Sequence, residues 1–331
     1  MGKIRIHERY LSIRKKPANL KSTDLKLFAH EFEKEIPESH INIVKNVFII
    51  NQSLISLRKF SLFSSYTYFY HPGYIKILKD FLRSTIRSFR GITYIDQGIW
   101  ITDNKSAVYF HWLCDALGKY YLIPDKQSSK TVLLPEKYDI NWIKEYLETM
   151  GVEFVILKEG YWYKVKELVI PSYPAPSGNF NHENIKKVSS EIIKLTSKRN
   201  KVKQKKLKKI WISRETARRK VSNKDQIDKI LEKHNFTNCI LEDFSLKDKV
   251  ELFQNAEVIA GSHGSGITNM IFMKKNTSVV DIRDPRDNVK NAFFTLASEF
   301  DLNYYYMERD VSIDQIIIDP NKLDKLLSSI K

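Results

Sequence analysis

EVIAGSHGSGITNMIFM, residues 257–273, joins two apolar runs through the loop GSHGSG, residues 261–266. The chain carries 11 glycines in 331 residues, yet three fall within these six positions, around a histidine. Three readings compete: a tight turn, a nucleophile loop and a cradle for a phosphate. A strand that ends in glycines and passes into a helix lets backbone approach an anion closely. It also offers the anion the unpaired N–H groups of the helix start. Other glycine fingerprints fit less well. The dinucleotide pattern wants a glycine where Asn269 stands, and the hydrolase elbow wants one where His263 stands. The lysine of a P-loop is absent.

Outward from this loop the pattern is regular. KIWIS (209–213), TNCIL (237–241), EVIAG (257–261), SVVDIR (278–283) and NYYYM (303–307) read as strands. Between them, SNKDQIDKILEKH (222–234), SLKDKVELFQNA (245–256) and NVKNAFFTLASEF (288–300) read as helices, the first two opened by the N-cap serines Ser222 and Ser245. Alternation of this kind specifies a parallel sheet covered by helices, a Rossmann-like domain. Ligands bind at the carboxyl ends of such strands, where the glycine loop stands.

The first half is less regular. ITYIDQGIWIT (92–102) reads as a hairpin turning at Asp96-Gln97-Gly98, and YFHWLCDALGKYYLI (109–123) as a helix. TVLLP (131–135), VEFVIL (152–157) and VKELVI (165–170) read as strands, and NWIKEYLETMG (141–151) as a helix ended by Gly151. PSYPAPSGNF (171–180) is the clearest loop. The expected division is therefore residues 1–175 and residues 176–331.

Composition bounds the function. With 42% hydrophobic residues the chain is globular, and its length favours two cores over one. No apolar run approaches the ~18–20 residues that span a bilayer, and the basic N-terminus lacks the apolar segment of a secretory signal. Cys114 and Cys239 read as buried apolar residues, so a reducing, cytoplasmic home is expected. Net charge is +16, and KRNKVKQKKLKK (198–209) holds eight cations and no acid. That run suits a solvated linker, an anionic membrane surface or a phosphorylated substrate, and it lacks the interleaved aromatics of a single-strand nucleic-acid binder.

Two further clusters carry chemistry. ISRETARRKVSN (212–223) places Arg214, Arg218 and Arg219 just after a strand, at the same sheet edge as the glycine loop, where arginines form forks for phosphate. In FHWLCDAL (110–117), His111 and Asp115 are four apart and share a helix face. Such a pair suits general base work, and equally a structural tie.

The three clusters, in this order, resemble the motifs of glycosyltransferase family 61: its HW-x-x-D motif, its arginine motif, and its G-x-HGAGL-x-N-x-x-F motif, in which Ser265 and Ile267 replace alanine and leucine. The resemblance covers residues 90–285. It implies an α/β GT-B-like fold, two Rossmann-like domains facing a central cleft. It implies an inverting transfer of a sugar from a nucleotide-sugar, commonly a UDP-sugar, to a hydroxyl of a cell-surface or lipid-linked glycan, with no metal and no other cofactor. On that basis Arg214, Arg218, Arg219, His263, Gly264, Ser265 and Gly266 hold the diphosphate. Asn223, Asn269 and Asp281 are donor contacts, each also readable as a cap or turn residue. Asp115 is the first candidate for the base and His111 the second. The expected setting is the cytoplasm, with peripheral contact to anionic membrane and no nucleic-acid partner. A basic nucleic-acid-binding protein, and a phosphorylase or epimerase of the same architecture, are the alternatives.

Overall fold

The computed structural model describes residues 2–50, 53–56, 61–62, 75, 79, 90–124, 130–197, 207–215, 220–286, 291–310 and 315–330. In chain order the strands are β1 (Gly2–His7), β2 (Tyr10–Ile13), β3 (Glu33–Ile36), β4 (Ser39–Ile50), β5 (Ser53–Ser56), β6 (Ser61–Leu62), β7 (Gly91–Ile99), β8 (Val132–Pro135), β9 (Phe154–Leu157), β10 (Tyr161–Pro171), β11 (Lys209–Ile212), β12 (Thr237–Cys239), β13 (Val258–Ser262), β14 (Ser278–Arg283) and β15 (Asn303–Glu308). The chain divides into two compact units: Met1–Tyr10 with Pro37–Pro176, and Leu11–Ile36 with Ser177–Lys331. Both are mixtures of helix and strand. No helix of the described residues is long and apolar enough to cross a membrane.

The first unit is built on a mixed sheet ordered β6-β5-β4-β10-β7-β8-β9, with β1 paired to β4. The strands from β10 to β9 run parallel, whereas β4 is antiparallel to β1, β5 and β10. This departs from an all-parallel Rossmann-like half. The cause is β4, whose core-facing Val44, Val47 and Ile49 pack with Trp100, Leu133, Val165 and Leu168. The expected hairpin at 92–102 is also absent. β7 runs unbroken beside β10, from Gly91 opposite Tyr161 to Ile99 opposite Val169. Gly98 serves packing instead of a turn, since a Cβ there would stand 2.5 Å from Leu133 Cδ1. Gly151 does end its helix, with φ +66°, after Asn141–Thr149.

The second unit carries an all-parallel sheet ordered β12-β11-β13-β14-β15. Helices Lys224–Lys233 and Pro320–Ser328 cover one face, against Trp211, Val258, Ala260, Val280 and Ile282. Helices His182–Ser197, Leu246–Asn255 and Ala292–Glu299 pack with the 3-10 helix Ser265–Phe272 to form the other layer. The sequence suggested Ser222 and Ser245 as caps. Ser245 caps its helix, accepting from the Asp248 amide, whereas Ser222 bonds Ile316 and leaves the cap position to Asn223.

A contiguous first domain of residues 1–175 does not survive, because residues 11–36 belong to the second unit. Phe28 is fully buried there, with ring centroids 5.2 Å from Phe294 and 4.7 Å from Tyr306. Arg14 bonds Asn179 (2.5 Å) and Glu31 (2.7 Å). The Asn19 amide pairs with both main-chain groups of Tyr306 and so covers the open edge of β15. Phe28→Ala is expected to lower the unfolding free energy by about 3–5 kcal/mol in urea titration. A loss below about 1 kcal/mol would show that this segment is only loosely attached.

Candidate active site

In the second unit the sheet order reverses between β11 and β13, the switch point at which open α/β sheets bind ligands. Two loops leave the sheet there. Ser213 and Arg214 follow β11, and His263 follows β13. The Arg214 guanidinium donates to the His263 carbonyl oxygen (3.1 Å) and lies across Gly264. A Cβ on Gly264 would collide with Arg214 Nη1, so this glycine is present for the arginine's approach. Gly266 has a different reason. Its missing Cβ would stand 2.8 Å from Ile212 Cγ2 and 3.3 Å from Leu241 Cδ1, in the core. The 3-10 helix then opens with Ser265 and Gly266, ahead of the bond from the Ile267 amide to the Gly264 carbonyl (3.0 Å). The first amides of a helix lack partners within it and favour an anion.

His263 is held from behind. Its amide donates to the Ile282 carbonyl (2.9 Å), and its Nδ1 donates to Asp281 Oδ2 (3.0 Å). Asp281 is 1% exposed and accepts a second bond from the Tyr304 hydroxyl (2.8 Å). Burial first, and the Asp281 charge next, push the Tyr304 hydroxyl well above its ordinary pKa, so it keeps its proton. The imidazole is 31% exposed, and with Nδ1 turned to the carboxylate, Nε2 is on the ring's far side.

Each of the three expected donor contacts has a protein partner. Asp281 lies beneath the imidazole. Asn269 is buried, and its amide donates back to the Gly266 carbonyl (2.9 Å), which fixes the loop. Asn223 pairs with both main-chain groups of Ile318 (2.7 and 3.2 Å). Arg218 and Arg219 lie outside the described residues, as does 198–206 of the basic run.

In the first unit, His111 and Asp115 meet as their spacing suggests. The His111 Nδ1–H donates to Asp115 Oδ2 (2.6 Å). The helix is α-helical at Tyr109–His111 and Leu117–Tyr121, with a π-helical turn, Trp112–Ala116, between. π turns are frequent at functional sites. The imidazole is 16% exposed and the carboxylate 8%. Burial pushes the Asp115 carboxyl up, and the His111 hydrogen bond opposes it. Around them lies a polar set that sequence reading missed: the buried Asp103 and Lys119 and the half-buried Tyr173. Lys119 was within reach, being four residues past Asp115. Asp103 and Tyr173 carry no local signal.

The family profile for glycosyltransferase 61 matches residues 109–280, just over half of the chain, from the first residue of the His111 helix to the last residue before Asp281. The chain belongs to that family. A beta-1,2-xylosyltransferase from Arabidopsis thaliana is similar to it, 40% identical over 48 residues. That alignment spans 14% of this chain and 9% of the plant protein.

The two glycines predict separable effects. Gly266→Ala should cost about 1–3 kcal/mol of stability, since it overpacks against Ile212. Gly264→Ala should cost under about 1 kcal/mol, because only the tip of a flexible arginine must move. Urea titration of both variants checks this; equal losses would contradict it.

Proposed function

We propose that the chain is an inverting glycosyltransferase of GT-B type that moves a sugar from a nucleotide-sugar, a UDP-sugar first, to a hydroxyl of a cell-surface or lipid-linked glycan. The observation that carries this reading is the switch-point loop. It combines a guanidinium, an imidazole with a carboxylate behind it, and the opening amides of a helix. Family membership supports it. So does the xylosyltransferase relative, a sugar-transfer enzyme by name.

In the reaction, the acceptor oxygen bonds to the anomeric carbon as the bond from that carbon to the diphosphate oxygen breaks. The electron pair leaves with the diphosphate. Arg214, His263 and the amides of Ser265 and Gly266 stabilise that charge electrostatically, with no resident metal or other cofactor. Protonated at Nε2, His263 donates to it, and Asp281 balances the imidazolium. Arg218 and Arg219 join this set if the arginine motif acts as a unit. Asn269 and Asp281 serve by positioning the loop and the imidazole.

The acceptor proton goes to the His111–Asp115 pair. The more exposed imidazole is the better proton acceptor of the two, and the carboxylate orients it, as in other His–carboxylate catalysts. His111 thus takes the role the sequence gave first to Asp115. The enzyme works in the cytoplasm at the inner face of the membrane. The basic stretch around 198–209 holds it to anionic lipid by charge.

Release of the nucleoside diphosphate from UDP-, GDP- and CDP-sugars, with lipid-extract acceptors and with or without EDTA, tests this reading. The expected result is release from one nucleotide class, unaffected by EDTA. His263→Ala should slow it about a hundredfold and His111→Ala by at least as much. Release that requires a divalent metal would refute the metal-free mechanism. No release from any donor would refute the transferase reading.

A further inference from the structure

Lys119 is 1% exposed, in the same helix as His111 and Asp115 and one turn beyond Asp115. Lysines are almost never buried this fully unless paired. Its ammonium sits 3.6 Å from the centroid of the Tyr173 ring and 3.8 Å from Asp103 Oδ2. Asp103 is equally buried and fixed from several sides. Its Oδ1 accepts from the Lys105 amide (2.7 Å) and the Ser106 hydroxyl (3.3 Å), and its Oδ2 accepts from the Tyr173 hydroxyl. The Tyr138 hydroxyl donates to the Asp103 carbonyl. A cation locked this tightly has a fixed position relative to the helix.

The charged and titratable groups facing Asp115 are His111, Cys114 and Lys119 from its own helix, Asp103 from the loop after β7, and Tyr173 from the segment after β10. Burial raises both the Cys114 thiol and the Tyr173 hydroxyl, so both stay neutral. Burial also lowers Lys119 to about 8, with Asp103 and Asp115 opposing that, so the ammonium persists near neutral pH. Lys137 also acts on Asp103, and burial lowers it to about 8 as well. Two carboxylates and two ammonium groups then sum to zero, and a proton arriving on His111 brings the set to one positive charge. Without Lys119 the set would carry one negative charge, which favours a proton on His111.

We propose that Lys119, clamped between the Tyr173 ring and Asp103, is a positioning residue that sets the charge around the His111–Asp115 pair and weakens the hold of that pair on an additional proton. This rests on the reading of that pair as the general base.

The test follows the His111 ring resonances by NMR, with the pH dependence of donor turnover alongside, in the full chain. Lys119→Met should move the His111 midpoint and the acid limb of the rate upward by about one pH unit. Asp103→Asn removes a negative charge and should move both downward, so the inference stays testable if the methionine variant fails to fold. A purely packing role for Lys119 would shift neither midpoint. Unmoved midpoints in folded Lys119→Met and Asp103→Asn would overturn the inference. His111→Ala and Asp115→Asn separate it from the reading beneath it. If both keep the parental rate, the general-base assignment falls. If both lose it while the midpoints stay fixed, only the role of Lys119 falls.

Discussion

The Asp281 carboxylate is inside the second unit, beneath the ring of His263 and beside the hydroxyl of Tyr304. A buried carboxylate is costly unless it is paired and hydrogen-bonded, and these two groups meet that requirement. The arrangement fixes the histidine in turn. With the ring and its amide both anchored to β14, the chain leaves β13 in one direction, the His263 carbonyl meets Arg214, and Gly264 passes beneath the guanidinium. The start of the 3-10 helix inherits its place from that path. Loop, arginine and helix start thus depend on one tie between β13 and β14.

The same device occurs in both units, built by different means. In the second, neighbouring parallel strands bring histidine and carboxylate together, with Gly261 opposite Asp281. In the first, four residues of one helix do so across a π turn. Each time the carboxylate is the more buried partner and turns the ring's second nitrogen away from itself. The surroundings separate the two. Asp281 has a neutral tyrosine hydroxyl beside it, whereas Asp115 shares its buried space with Asp103 and Lys119. On the proposed reading, the same pair of side chains holds an anion in one unit and accepts a proton in the other.

Legibility in the sequence followed the range of the interactions. The strands of the parallel sheet stand out because both faces are covered, so β13 and β14 read as apolar runs between helices. The Gly264 and Gly266 loop was legible because its glycines cluster between a strand and a helix. The His111–Asp115 pair was legible from helical spacing. What failed depended on partners distant in sequence. Asp96-Gln97-Gly98 has turn chemistry, yet β10 alongside keeps β7 extended and Leu133 needs the space at Gly98. Nothing near Phe28 reveals that it packs on Phe294 and Tyr306. The bonds that Asn269 makes to the Gly266 carbonyl and Asp281 to the His263 ring have no signal in the sequence beyond their motif positions.

The central claim is that the switch-point loop holds a diphosphate and that Asp281 organises it. Phosphorus NMR of UDP titrated with the protein measures this directly, comparing the parent with Asp281→Asn and with His263→Ala. The expected result is a shifted and broadened β-phosphate resonance with the parent, lost to a similar degree in both variants while each remains folded. Phosphate resonances that do not respond to the parent, or that respond equally to all three proteins, would contradict it.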